Sequence, residues 1–141
     1  TLLGLSKKML GTANVDNIVE LASTGDISKV DLRVSDISRK DIHPDLAPDL
    51  TASNFGKLSD LATPNDIALG LFNMIFESVA MIAAFAARRY GIKDIVLTGN
   101  MTTFPQAKQV FENMNNLFDV NYIIPENSRF GTVIGAALSL L

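Results

Sequence analysis

Two stretches of this chain carry the residue types and spacing that could do chemistry: Asp94-Ile-Val-Leu-Thr-Gly99-Asn100 and, later, Phe130-Gly131-Thr-Val-Ile-Gly135-Ala-Ala. The first reads as a buried apolar strand ending on a glycine, the second as a helix led by a glycine. The chemistry they suggest is nucleotide recognition by bare backbone. Without a Cβ, Gly99 lets main-chain groups approach a ligand closely, and Asn100 adds a carboxamide that can donate and accept hydrogen bonds. A strand-ending turn and a helix start account for the same residues, so this pair alone does not choose between a site and a turn.

Phosphoryl chemistry needs an electrostatic cradle, a cation and usually a base for the acceptor hydroxyl. The sequence has no Gly-x-x-x-x-Gly-Lys-Ser/Thr loop, no Gly-x-Gly-x-x-Gly, no Gly-x-Ser-x-Gly elbow and no His/Cys cluster. His43 is the single histidine, so no second one can share a metal with it. Asp41, Asp45 and Asp49 lack the glycine and terminal glutamate of a calcium loop and read as solvated loop acids. Asp94 and Asp119 precede strands at the end away from the expected ligand face, which makes them charged turn residues. Glu77, inside an apolar helix, reads as paired or at an interface. No residue qualifies as a catalytic base or a metal ligand, and no complete active site is present.

The elements that must position Gly99 can be read from the patterning. The 141 residues suffice for one domain with a hydrophobic core, at 48% hydrophobic and 19% charged. A net charge of −3 argues against a general nucleic-acid binder. The absence of cysteine excludes disulfides and suits the cytoplasm. The chain opens on Thr1 and runs straight into Leu2-Leu3-Gly4-Leu5, which looks like a piece of a longer protein.

A short helix follows Thr1 and ends at Gly11. A second, capped by Asn14 with Asp16 in its first turn, stops at Gly25. Val30 to Val34 fits a strand or a helix equally, and Thr51 to Gly56 is expected to start a short helix. Thr63 and Pro64 then launch a long helix from about Asn65 to Tyr90, closed by a left-handed Gly91. Its stretch from Ile67 to Ala87 raises the question of a membrane span. Asn73 and Glu77 interrupt it, however, and Asp66, Arg88 and Arg89 bound it, so a buried soluble helix is expected and no membrane partner. Its apolar residues wrap more than one face, predicting one face on the core and another on a second subunit. After Gly91 come strand Ile95 to Thr98, helix Gln106 to Leu117, strand Val120 to Ile124 and helix Gly131 to Leu141. That alternation predicts an α/β fold with parallel strands joined by crossover helices. Ligands in such sheets sit beyond the carboxyl ends of the strands, where Gly99-Asn100 and Pro125-Glu126-Asn127 would lie.

Several separated motifs, in order across the chain, resemble the C-terminal half of a type II pantothenate kinase. They are Thr1-Leu-Leu-Gly4-Leu5, Ala22-Ser-Thr-Gly25-Asp26, Asp31-Leu-Arg-Val-Ser-Asp36-Ile37, Asp49-Leu-Thr-Ala-Ser-Asn-Phe-Gly56, Ile95-Val-Leu-Thr-Gly99-Asn100 and Phe130-Gly131-x-x-x-Gly135-Ala136. The resemblance implies the acetate kinase, sugar kinase and actin superfamily, also called the actin/ribonuclease H-like ATPase fold. Residues 1–141 would be the C-terminal lobe of a two-lobed enzyme, with the long helix at a homodimer interface. It implies transfer of the γ-phosphoryl of ATP, with Mg2+, to pantothenate, the first step toward coenzyme A. Coenzyme A or its thioesters would be inhibitors.

Carried over by position, Thr1, Leu2, Leu3 and Gly4 continue a glycine run bordering the nucleotide. Val15 stands where the family often has a bulkier residue near the adenine, though a plain core residue explains it equally. Gly99 and Asn100 form the adenosine-side turn. The family's N-terminal Asp-x-Gly-Gly-Thr loop and catalytic glutamate have no counterpart here, so this chain alone is not expected to turn over substrate. A non-catalytic nucleotide-binding or dimerisation fragment, or another small-molecule kinase or activator ATPase of the superfamily, are the alternatives.

Overall fold

The computed structural model describes residues 1–38 and 48–140. Asp41, His43 and Asp45 lie outside the described residues, as does Leu141. The fold is mixed α/β, and the chain divides into two units, Thr1–Ile75 and Phe76–Leu141.

In the first unit, helix α1 (Leu2–Met9) and helix α2 (Val15–Ser23) precede a small antiparallel pair, β1 (Leu32–Arg33) and β2 (Thr51–Ser53). Asn14 caps α2 as expected, its side chain accepting from the Asp16 and Asn17 amides at 2.9 and 3.3 Å. The ambiguous Val30–Val34 segment does both things in turn: β1 pairs with β2, and the one-turn helix α3 (Val34–Ile37) follows at once.

The short helix expected at Thr51–Gly56 is not formed. Thr51–Ser53 is a strand, and Phe55 then adopts a left-handed φ of 58°. The cause is Asp31, fully buried, whose carboxylate accepts the Phe55 amide at 2.8 Å. Asn73 donates to the same carboxylate at 2.9 Å and to the Thr51 hydroxyl at 3.2 Å. A buried carboxylate must be hydrogen-bonded. Satisfying Asp31 therefore bends the chain out of helical geometry and explains Asn73 within the apolar helix that follows.

That helix, α4 (Pro64–Arg89), contributes Pro64–Ile75 to the first unit and Phe76–Arg89 to the second. Its start is locked by Asp66, which is buried. One carboxylate oxygen accepts the Thr63 amide and hydroxyl, both at 2.8 Å; the other accepts the Asp26 amide at 2.8 Å. Gly25 lies so close to this turn that a Cβ there would collide with the Asn65 carbonyl. The Gly25-Asp26 element thus serves close approach; α2 itself already ends at Ser23.

In the second unit, β3 (Asp94–Val96) and β4 (Asn121–Ile123) pair in parallel across the crossover helix α5 (Pro105–Phe118). Both strands are shorter than expected, but the ladder runs on: Leu97 donates to the Ile123 carbonyl at 2.8 Å and Asn121 to that of Lys93 at 2.8 Å. Strand alternation turns Ile95, Leu97 and Tyr122 inward and leaves Val96 and Ile123 exposed on the opposite face. Asp119 takes a left-handed conformation at the end of α5 and meets Lys93 at 2.7 Å, a turn role as expected. Helix α6 (Gly131–Leu138) follows β4.

α4 is long and apolar enough to cross a membrane by length and composition. Within the second unit, Phe76, Ala80, Ala84 and Ala87 form its buried stripe. Phe76 meets Phe111 at 5.8 Å between ring centroids, Tyr122 donates its hydroxyl to the Ala80 carbonyl, and Arg88 donates to the Phe118 carbonyl at 3.1 Å. The other stripe stays open, with Val79, Ile82 and Phe85 exposed by 46%, 71% and 54%.

Amide and hydroxyl donation from Thr63, amide donation from Asp26 and the nearby Lys29 hold the Asp66 carboxyl below its usual range. A depressed carboxylate pKa stabilises the fold above its unfolded value, and that stability is lost as pH falls through the folded value. Asp66→Asn is therefore expected to cost about 1–2 kcal/mol near neutral pH, the worth of a helix cap. The gap to wild type should begin to narrow below about pH 4 and close as pH falls through the lowered folded value, as thermal unfolding across pH would read.

Candidate functional site

The carboxyl ends of β3 and β4 meet in one loop cluster. After Leu97, Gly99 takes φ 110° and ψ 167°, a combination essentially restricted to glycine. Its amide donates to the Ser128 carbonyl at 2.8 Å, so the Gly99 turn and the Pro125–Ser128 turn are joined, as the parallel topology predicted. Its carbonyl accepts the Thr102 hydroxyl at 2.7 Å and the Thr102 amide at 3.2 Å. The Thr102 and Ser128 hydroxyls are 2.7 Å apart.

This refines the role of Gly99. Its own amide and carbonyl are both committed inside the loop cluster and are not offered outward. What it presents is a bare α-carbon: no atom lies within 4 Å of where a Cβ would stand. Asn100, next in the chain, is exposed, and among the described residues its carboxamide has no hydrogen-bond partner. Leu97 is buried beneath the bend, while Thr98 and Asn100 are exposed, so the turn is not sealed inside the protein.

The glycine that leads α6 has a different role. Thr98 sits 2.7 Å from the position of a Gly131 Cβ, so Gly131 permits the loops to close on each other. On the far side of Thr102, a cavity of about 410 Å³ opens between the start of α5 and the end of β4, lined by Thr103, Phe104, Lys108, Phe111 and Tyr122 among others. Burial raises the pKa of the Tyr122 hydroxyl above its ordinary value. Spacing signals pointed to Gly99, Asn100 and Gly131. Thr102 and Ser128 were missed because isolated hydroxyl residues in loops carry no periodicity.

The remaining expected site residues lie in the first unit. Thr1 is exposed ahead of α1, accepting the Leu5 amide at 3.0 Å on its carbonyl. Leu2 turns into the core, whereas Leu3 and Gly4 are exposed. Val15 opens α2 and is half-buried. Among the described residues there is no cluster of three or more His, Cys, Asp or Glu able to hold a metal ion. The open α-carbon and free carboxamide fit a nucleoside; nothing described fits a magnesium cage.

Comparison with known proteins decides the family. The family model described as Fumble matches residues 1–120. The chain belongs to the Fumble family. A "Type II pantothenate kinase" of Oceanobacillus iheyensis is 30% identical over 98% of this chain and 53% of its own length. One of Staphylococcus epidermidis is 29% identical over 94% of this chain and 52% of its own. A rice (Oryza sativa subsp. japonica) "Pantothenate kinase 1" is 33% identical over 70% of this chain and 16% of its own. The chain thus spans about half the length of these bacterial relatives and a much smaller part of the rice protein. The Fumble match includes Gly99 and Asn100 and stops before Ser128 and Gly131.

Two glycine substitutions should move stability in opposite directions. Gly131→Ala forces Thr98 aside and should lower the melting temperature. Gly135→Ala, in a helix with open space around it, should raise stability by about 0.5–1 kcal/mol. Thermal unfolding of the two variants side by side checks the pair.

Proposed function

We propose that this chain is the C-terminal lobe of a pantothenate kinase, residues 1–141 forming one lobe of a clamshell of the actin/ribonuclease H-like ATPase type. The observation that carries the reading is the Gly99-Asn100 turn at the carboxyl end of a parallel strand pair, in a chain of the Fumble family. Bound ATP supplies the γ-phosphoryl group that passes to the hydroxyl of pantothenate, with Mg2+ and the reacting groups held outside the residues described here. Asn100 offers its carboxamide to the adenosine, and the bare α-carbon of Gly99 lets the nucleoside lie flat against the turn. In the first unit taken by itself, the family resemblance assigns Thr1, Leu3, Gly4 and Val15 to nucleotide contact, while Leu2 is buried. Coenzyme A or an acyl thioester is the expected inhibitor, and a cytoplasmic setting suits a cysteine-free chain.

Two uncovered apolar surfaces support the lobe reading. Val96 and Ile123 are exposed on the sheet, as are Val133, Ile134 and Leu138 on α6. A two-stranded sheet with a bare apolar face is marginal by itself, and a second lobe would cover such a face. The exposed α4 stripe is separate and supports a homodimer, since an interface of standard size needs about 1,600 Å².

The reading is tested in the full-length protein that contains this chain, assayed with ATP and pantothenate. Gly99→Val and Asn100→Ala should each weaken nucleotide binding, the first by at least about tenfold, or ~1.4 kcal/mol. Because the Gly99 backbone conformation is closed to valine, Asn100→Ala is the cleaner probe. Turnover of a different acceptor but not pantothenate would move the protein to another kinase of the superfamily. Unchanged nucleotide affinity in both variants would remove this turn from the site. For the dimer, Ile82→Glu with Phe85→Glu should convert a dimer into a monomer in light scattering; a wild-type monomer at micromolar concentration rejects that interface.

A further inference from the structure

We infer that Thr102 and Ser128 are positioning residues that set the Gly99-Asn100 turn for nucleotide through a two-hydroxyl relay. This rests on the nucleotide reading of that turn and goes beyond it by naming what orients it. Each hydroxyl carries a single proton. The Thr102 proton is directed to the Gly99 carbonyl at 2.7 Å. The 2.7 Å contact between the hydroxyls is then filled by the Ser128 proton. The Gly99 amide closes the circuit by donating to the Ser128 carbonyl at 2.8 Å.

The relay therefore grips the Gly99 residue from both sides: its amide through the Ser128 backbone, its carbonyl through Thr102. The Gly99 carbonyl belongs to the peptide that carries the Asn100 amide, so its orientation sets the direction in which Asn100 leaves the turn. Glycine at φ 110° has no side chain to resist rotation, and the hydrogen bonds must supply that resistance. Ser128 is buried and Thr102 half-buried, and serial hydroxyl donation shielded in part from water strengthens each member of the chain. Neither hydroxyl touches ligand in this scheme; both act through Asn100.

The test uses the full-length protein with ATP and pantothenate, and four variants: Thr102→Val, Thr102→Ser, Ser128→Ala and the double Thr102→Val/Ser128→Ala. Thr102→Val keeps shape but deletes the proton. It should raise the KM for ATP by about fivefold, or ~1 kcal/mol, while kcat and the KM for pantothenate stay within about twofold. Thr102→Ser should restore the wild-type value. Ser128→Ala should have a smaller effect, because Thr102 keeps its bond to Gly99. The double variant should be no worse than Thr102→Val alone, since the Ser128 proton acts only through Thr102.

An unchanged KM for ATP in Thr102→Val, with Asn100→Ala still impaired, overturns the relay and leaves the nucleotide site standing. Unchanged affinity in both overturns the site and the relay together. Equal loss toward both substrates, or strictly additive effects in the double variant, marks general damage and also rejects it. If Thr102→Val does not fold, Ser128→Ala decides the matter through the same ratio of ATP to pantothenate KM.

Discussion

The second unit depends on how closely β4 and α5 can approach α4. Ala80, Ala84 and Ala87 form a buried stripe of small side chains on α4, and ring contacts join Phe76 to Phe111, Phe111 to Tyr122 and Phe85 to Phe118. A small side chain at Ala80 leaves room at the helix surface. It also lets the Tyr122 hydroxyl reach the Ala80 carbonyl, a bond that pins β4 to the helix. Once β4 is pinned, the parallel register Ile95–Tyr122 fixes β3 beside it, and both carboxyl ends arrive at the same place. The Gly99 and Ser128 turns meet because of that arrival.

The first unit is organised by buried acids. Asp66 fastens the start of α4 to the Gly25-Asp26 turn, and Asp31 fastens β2 to α4 through Asn73. Each carboxylate accepts backbone or amide donors from segments 24 to 42 positions away. Long-range polar ties of this sort specify one arrangement, because a buried acid left without donors is costly.

Sequence reading recovered the elements whose signals are local. Asn14 and Thr63 as caps, Pro64 at a helix start, Gly91 in the left-handed region and the strand–helix–strand alternation after it all appear. It missed what depends on partners distant in the chain. Thr51–Gly56 has the composition of a helix start, but Asp31, two dozen residues earlier, captures the Phe55 amide and turns it into a strand and a left-handed bend. Asn73 looked like an interruption of an apolar helix, and its meaning became legible only with Asp31 and Thr51 beside it. Gly99 was found because a glycine after an apolar run is a visible signal. That its own peptide groups are occupied was invisible, since Thr102 and Ser128 follow no period.

That occupation bears on how the proposed nucleotide recognition at this turn would work. In a loop whose amides point outward, any anion is welcome, and selectivity falls to other parts of the site. Here the Gly99 peptide groups are withdrawn into the loop cluster, leaving a bare α-carbon and the exposed Asn100 carboxamide. Such a surface is poorly suited to phosphate and well suited to the uncharged face of a nucleoside, which needs close contact and a few directed hydrogen bonds. In the proposed two-lobed enzyme, phosphate binding and nucleoside binding then fall to different lobes. Closure of the lobes, and not either surface alone, would complete a site able to react.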